Sequence, residues 1–450
     1  MKLLTPKSEK HSTRRKKLVF WSIVIIFFYA LGLRLAYIES AVIPFPVKAD
    51  AEKYVTIAEN LINHGAYSTE KTPPFHPDTF ISPGYPLFLA SILKLTPDFV
   101  FAYVTIQRVQ ALLSAITAVI VLLIALEFLP LWGAFLVGCF MVNSPHAVIM
   151  SGYLLTETLF TFLLYSALFF AIRGFQNNSL WWFIGFAVLA SLCSLVRPAL
   201  LLFPFLVTFL IWRYLPKKTR LKACCIMLLT FVLLQAPWFA WKQAHAVKGS
   251  VSPAAASLAL GIYPDLIYKN PGLRGYPYRE DPEYGTMSRS AEAAVQILLQ
   301  RAQKEPWSYI KWYLFKKPVM FWSWSSIVGM GGPFIYQVVS CIYFKYNIAA
   351  YTMLISKWMH PVLLVSACFT ILSLLAGFLK RYQPSCSGPG IQIVALVALY
   401  FTAIHSILAP LPRYSMPLHG CLFLLGTCGF VFISSFGRRK YLNKQQKTLQ

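Results

Sequence analysis

The chain carries 41 Lys+Arg against 16 Asp+Glu in 450 residues, and the few charges that border long apolar runs are the places where chemistry is to be sought. An ionisable group near a bilayer is costly, so its presence calls for a reason. The acids that qualify are Asp50, followed by Glu52 and Glu59, and Glu157 in the run Gly152-Tyr153-Leu154-Leu155-Thr156-Glu157. A carboxylate so placed can accept a hydroxyl proton. The cations that qualify are Arg34, Arg108, Arg197, Lys242 and Arg413; the planar fork of arginine suits phosphate oxygens, whereas lysine offers a point charge. Each residue also has a plain structural reading. Asp50 stands where an N-cap would, worth about 1 kcal/mol. Glu157 stands at a helix start, where the dipole favours an acid, and Arg34 and Arg108 can snorkel to headgroups. No His, Cys or Asp cluster has metal-ligand spacing, so no metal and no cofactor is expected; His64, His76 and His245 read as polar surface residues.

The elements that must hold these residues are membrane spans. With 57% hydrophobic and 13% charged residues, against about a quarter charged in a soluble chain, a soluble enzyme is excluded. Windows of about 20 apolar residues fall near 18–38, 104–128, 131–150, 153–173, 180–196, 199–214, 223–243, 361–380, 391–409 and 416–436. The expectation is an all-α polytopic membrane protein with about 10 transmembrane helices, or about 12 if 318–344 adds a pair. Basic clusters at Lys7–Lys17, at Lys217, Lys218, Arg220 and Lys222, at Lys380 and Arg381, and at Arg438, Arg439 and Lys440 all fall inside if the N-terminus is cytoplasmic. They speak for a lipid bilayer and against nucleic acid as the partner. The first window reads as a retained anchor. The cysteines lie mostly in apolar runs and form no CxxC pattern. The chain then divides into a seven-span region 1–243, a loop 244–360, and three spans with a basic tail, 361–450.

Residues 39–103 and 244–360 are left outside, and both carry amphipathic juxtamembrane helices. In 50–65, Tyr54, Ile57, Ala58, Leu61 and Ile62 follow helical spacing, with Asp50 as N-cap and Gly65 just past the end, giving a helix on the membrane surface. In the second segment Trp307, Trp312, Trp322, Trp324 and Trp358 alternate with Lys311, Lys316 and Lys317, as in an interfacial belt. Pro83-Gly84-Tyr85-Pro86 is expected to turn the chain back and to place Tyr85, with Tyr54, at a cavity rim. Cysteines introduced at Ser68 and Ser288 are expected to be accessible from outside.

The residues resemble a known family. Leu33-Arg34-Leu35, Asp50-Ala51-Glu52-Lys53-Tyr54 and Ser82-Pro83-Gly84-Tyr85-Pro86-Leu87 are similar to the first-loop signature of C-type-fold glycosyltransferases that use polyprenyl-phosphate sugars. Within these the resemblance is to the dolichyl-phosphate-mannose protein mannosyltransferases and aminoarabinose lipid A transferases. It continues through Asn143-Ser144-Pro145, Thr156-Glu157, Arg197-Pro198, Pro237-Trp238 and Pro412-Arg413-Tyr414-Ser415-Met416-Pro417. Lys242 departs from it, since relatives often have Arg there, and no large soluble domain follows the last span. The resemblance implies inverting transfer of a sugar from a polyprenyl-phosphate donor to an acceptor hydroxyl on a glycolipid, glycan or protein. Asp50 is then the general base and Glu157 a second carboxylate at the same cavity. Arg413 first, then Arg197, Lys242 and Arg34, are candidates for the donor phosphate. Some members of the wider fold use a divalent cation. The alternative function is a polytopic lipid or glycan transporter or flippase, which would place its charges near the midplane. The C-terminus Lys-Thr-Leu-Gln carries no retention signal, so a bacterial plasma membrane, with the site extracytoplasmic, is expected ahead of the endoplasmic reticulum.

Overall fold

The computed structural model describes residues 6–96, 98–247, 249–266, 277–325, 332–380 and 388–432. The basic residues Arg381, Arg438, Arg439 and Lys440 lie outside them. Among the described residues the fold is helical, and extended backbone pairs only at one antiparallel bridge, Val42 with Ser340. The first half runs through α1 (Pro6–Ser40), α2 (Asp50–His64), α3 (Gly84–Leu93), α4 (Phe99–Ala125), α5 (Leu131–Asn143), α6 (Pro145–Met150), α7 (Thr156–Asn177), α8 (Leu180–Val196), α9 (Phe203–Tyr214) and α10 (Lys217–Ala244). The second contains α11 (Pro253–Gly261), α12 (Tyr284–Arg289), α13 (Ala291–Lys304), α14 (Pro306–Lys311), α15 (Lys317–Phe321), α16 (Ile342–Lys345), α17 (Asn347–Lys380) and α18 (Pro389–Ile407). A short 3-10 helix, Pro412–Leu418, leads into the last helical stretch.

Among the described residues seven helical stretches are long and apolar enough to cross a membrane: Thr13–Ser40, α4, α7, α10, Asn347–Gly377, α18 and Pro412–Phe432. The windows near 131–150, 180–196 and 199–214 fall instead on shorter apolar helices. The first of these three is broken at Ser144, whose side chain caps α6 by accepting from the Ala147 N–H while Pro145 takes the first helical position. An X-Pro step disfavours helix for the residue before it. Within 318–344 the described helices are α15 and α16, five and four residues long, so they supply no further span.

Helices in lipid gain little from hiding apolar surface from one another and associate through close packing. At the α3–α8 crossing, a Cβ on Gly84 would stand 2.8 Å from Leu195 C and Val196 N, both backbone atoms. Gly84 is therefore required by the approach of the two helices. Tyr85, expected at a rim, is fully buried, and its hydroxyl donates to Gln110 Oε1 at 2.9 Å. The face of α2 that packs inward also differs from the expected stripe. Ala51, Val55, Ile57 and Ala58 are buried, while Ile62 is exposed; the small alanines let α3 come close, which spacing of large apolar residues does not reveal.

Residues in 253–266 and 277–320 build a second, smaller apolar core around Leu258, Ile262, Met287, Tyr309, Trp312 and Met320. This cap corrects the interfacial belt. Trp307 and Trp358 are exposed, but Trp312 and Lys317 are buried. Pro306 starts α14 and the chain continues helically through Lys316 into α15, turning one lysine of the Lys316-Lys317 pair inward. Ser68 and Ser288, expected to be accessible, are only 1% and 4% exposed.

Candidate active site

Three breaks in helical structure bring four charges together. α8 ends because Arg197 precedes Pro198 and is held extended, at φ −141° and ψ 117°. Its side chain turns into the bundle: Arg197 Nε donates to Thr156 Oγ1 at 2.7 Å and Nη2 pairs with Glu157 Oε1 at 2.7 Å. Arg413 lies in the 3-10 helix that Pro412 starts. Its Nε donates to Glu157 Oε1 at 2.6 Å and its Nη1 to Asp50 Oδ2 at 3.0 Å. Asp50 is reached through a third irregularity, Ala49 at φ 52°. A non-glycine residue there costs about 1–3 kcal/mol and persists only where its surroundings impose it. On either side of it, Lys48 O accepts from the Tyr336 hydroxyl at 3.0 Å and from the Ala51 N–H at 3.1 Å.

Asp50 is not the N-cap. It is the first residue of α2, the cap position belongs to Ala49, and no side chain caps this helix. The carboxylate faces Arg413 instead, while Gly65 does end α2 in the left-handed region, at φ 65°. The two acids are unlike. The Glu157 side chain is 2% exposed and its Oε1 takes both arginines, whereas the Asp50 side chain is 49% exposed and only Oδ2 is engaged. A buried charge must be paired and hydrogen-bonded to be tolerated, and Glu157 meets that condition through Arg197 and Arg413 together. Nη2 of Arg413 has no partner among the described residues.

Around this cluster, the Tyr54 ring meets Tyr85 edge-on at 5.2 Å. Burial, reinforced by Asp50, pushes the Tyr54 hydroxyl up, so it stays protonated and able to donate. Tyr414 lies under Arg197, whose guanidinium stands 6.0 Å from the ring centre. The remaining sequence candidates lie apart. Arg34 is buried in the bundle, donating to Ser114 Oγ at 2.8 Å and to the carbonyls of Ala30, Met141 and Val142 at 3.1 Å. It neither snorkels nor contacts the cluster. Arg108 is exposed on α4, and Lys242 is half-buried in the last turn of α10 without an ion pair to a described residue. His64 stacks on Phe75, His76 pairs with Glu70, and His245 stacks on Trp241.

Sequence reasoning passed over His146, His360 and His419. They lie on different elements, and their rings meet at 4.6 Å (His146 with His419) and 5.4 Å (His360 with His419). Only His146 carried a signal, as the residue after Asn143-Ser144-Pro145. Among the described residues no three His, Cys, Asp or Glu side chains form a group that could hold a metal ion.

No family model matches the chain, and no curated protein matches it. Among solved structures it is similar to the oligosaccharyltransferase AglB of Archaeoglobus fulgidus in complex with an inhibitory peptide and a dolichol-phosphate. The identity is 12% over 97% of this chain and 52% of that one, with a TM-score of 0.52. The apo form of the Archaeoglobus fulgidus oligosaccharyltransferase matches at 12% identity over 96% of this chain and 52% of that chain, TM-score 0.50. ArnT of Cupriavidus metallidurans bound to undecaprenyl phosphate matches at 13% identity over 93% and 78%, TM-score 0.35. The chain spans about half the length of the archaeal enzyme. At such identity what the archaeal structures share with this protein is the fold, an all-α polytopic membrane bundle.

Proposed function

We propose that this protein is a membrane glycosyltransferase that moves a sugar from a polyprenyl-phosphate donor to an acceptor hydroxyl on the extracytoplasmic face. The observation that carries this reading is the pairing of a half-exposed Asp50 with a largely buried Arg413, whose Oδ1 and Nη2 have no partner among the described residues. The 3.0 Å bond from Nη1 to Oδ2 then holds a proton acceptor beside a cation that can bind a phosphate.

In the proposed reaction Asp50 takes the acceptor's hydroxyl proton as the new oxygen–carbon bond forms at the anomeric centre. The bond from that carbon to the phosphate oxygen breaks on the opposite side, which inverts the centre. Its electron pair leaves with the polyprenyl phosphate, whose charge Arg413 and Arg197 meet. Negative charge at Asp50 also favours an oxocarbenium-like transition state. Glu157, whose Oε1 takes both arginines, serves as their anchor and takes no proton. Lys242 is open to the outer part of the donor phosphate, Tyr54 can donate to the acceptor or the sugar, and Arg34 and Tyr85 are assigned to the scaffold. The dolichol-phosphate in the archaeal oligosaccharyltransferase complex supports a lipid phosphate as the leaving group. Glycolipid, glycan and protein acceptors all fit the chemistry, and a bacterial plasma membrane is the proposed setting.

Purified protein in lipid nanodiscs, given polyprenyl-phosphate sugars and candidate acceptors, is expected to release polyprenyl phosphate. Transbilayer movement of the intact donor without cleavage would replace the enzyme with a flippase.

A further inference from the structure

Next to the charge cluster, and sharing Glu157 with it, the bundle holds a small cavity of about 30 Å³. Glu157, Thr158, Ser114, Ser144, His146 and His419 line it, with methionines filling the gaps. All six polar residues are buried. A water molecule needs roughly 10–15 Å³ of such space and two to four polar partners, so the cavity has room for about two. Two of its lining groups lack donors or acceptors from the protein. Thr158 Oγ1 has no hydrogen-bond partner among the described residues. Glu157 gives Oε1 to both arginines, and among the side chains of the described residues Oε2 meets the Thr156 hydroxyl alone, at 3.5 Å. Buried polar groups left unpaired are destabilising, and more so where lipid surrounds the bundle. The wall is itself braced, since Arg34 donates to Ser114 Oγ at 2.8 Å.

We propose that this cavity is a water-binding site serving the charge cluster. Ordered water in it bonds Thr158 Oγ1 and donates to Glu157 Oε2, which makes Thr158 a positioning residue for Arg413. The ligand is water rather than a metal cation because Arg197 and Arg413 already neutralise Glu157 and the other lining groups are hydroxyls and imidazoles. The consequence runs through geometry. Arg413 is aimed by Glu157, a carboxylate short of one donor rotates to find another, and a displacement of about 1 Å at a reacting centre costs as much as about 100-fold. The effect on donor handling rests on the transferase reading; the presence of water does not.

Two substitutions separate a hydrogen-bonding role from a packing role. Thr158→Val keeps the shape and removes the hydroxyl, and Thr158→Ser keeps the hydroxyl and removes a methyl. In nanodiscs, Thr158→Val is expected to weaken binding of polyprenyl phosphate about threefold to tenfold, the effect of one net hydrogen bond, and to raise KM more than it lowers kcat. Thr158→Ser should stay close to wild type. The opposite order, with Val normal and Ser impaired, means that Thr158 only packs and overturns the proposal. A high-resolution cryo-EM map of the wild-type protein supplies a second arm: density for water touching Thr158 and Glu157 is expected, and a dry cavity overturns the proposal even if Thr158→Val does not fold. Water in the map and the Ser-over-Val order in phosphate binding, with no turnover of any sugar donor, would leave the water site standing and remove the transferase reading.

Discussion

Arg413 and Lys317 are two basic side chains taken out of water, and they are held in opposite ways. Arg413 lies between Glu157 and Asp50 and keeps one nitrogen open. Lys317 is fully buried, meets no carboxylate among the described residues, and donates to the carbonyls of Ile407 and Leu408 at 3.2 and 3.0 Å, with its Nζ 3.7 Å from the centre of the Tyr313 ring. Those carbonyls close α18, so Lys317 binds the cap to a helix end whose last carbonyls lack intrahelical partners. The lysine is used up in holding the fold, while the arginine is positioned by one acid and left free to meet a ligand. Burial alone therefore does not mark a functional charge; an open donor or acceptor beside a paired one does.

The largest effect that tests this contrast is expected at Asp50. Asp50→Asn keeps a side chain of the same shape, and since α2 has no side-chain cap to lose, the protein level should hold. Transfer should fall roughly 10²–10⁴-fold through loss of the general base, measured as polyprenyl phosphate released per enzyme, with donor affinity little changed. Near wild-type turnover in this variant would remove Asp50 from the chemistry.

Next comes Arg413. Arg413→Ala removes a charge-assisted contact worth about 1.5–3 kcal/mol and strands Glu157 with one arginine, so binding of polyprenyl phosphate should weaken roughly tenfold or more and thermal stability should drop as well. Arg413→Lys should recover only part of the affinity, because an ammonium cannot reach Glu157 and Asp50 at once while facing a phosphate. Full affinity in either variant would put the donor phosphate elsewhere.

Lys317 should respond to pH rather than to donor. Burial pushes its ammonium down to about 6, so between about pH 6 and about pH 10.4, the value in an unfolded chain, the unfolded state binds more protons than the folded one. Stability from this site therefore rises with pH across that window and is flat below it. The difference in Tm between wild type and Lys317→Met should grow from pH 6.5 to pH 9; a difference independent of pH would mean that Lys317 stays charged in its seam. The mildest test concerns sidedness and should leave activity unchanged. Cysteines at Thr72 and Thr286, both exposed, should label from outside the cell. Labelling of one without the other would part the first loop from the cap and place Arg413 and Lys317 on different sides.

Much of the bundle was legible in the chain because its signal is local. Runs of about 20 apolar residues can only be satisfied as helices in lipid, and seven of the expected windows coincide with long helices. The break at Ser144-Pro145, inside a window read as one span, and those at Arg197-Pro198 and Leu411-Pro412 were not read, although their cause is local, because proline constrains its own residue and the one before it. The misreadings share a different cause. Asp50 as a cap, Tyr85 at a rim, Lys317 in a belt and Ser68 as exposed were all inferred from neighbours in sequence, and each was decided by a partner far along the chain: Arg413, Gln110, the end of α18 and Asn60, whose amide donates to the Ser68 carbonyl at 2.8 Å.

The sequence by itself determined that the chain is a helical membrane bundle, and it marked Asp50, Glu157, Arg197 and Arg413, with Arg34 and Lys242 beside them, as charges whose place near a bilayer calls for a reason, since polar groups are costly in lipid. Only the tertiary structure decided that the first four meet, that Oε1 of Glu157 takes both arginines while Asp50 stays half open, and that a cavity lined by Thr158 and two histidines adjoins them. Those outcomes depend on how residues as far apart as Asp50 and Arg413 pack, and on which donor each oxygen finds, which no local pattern encodes.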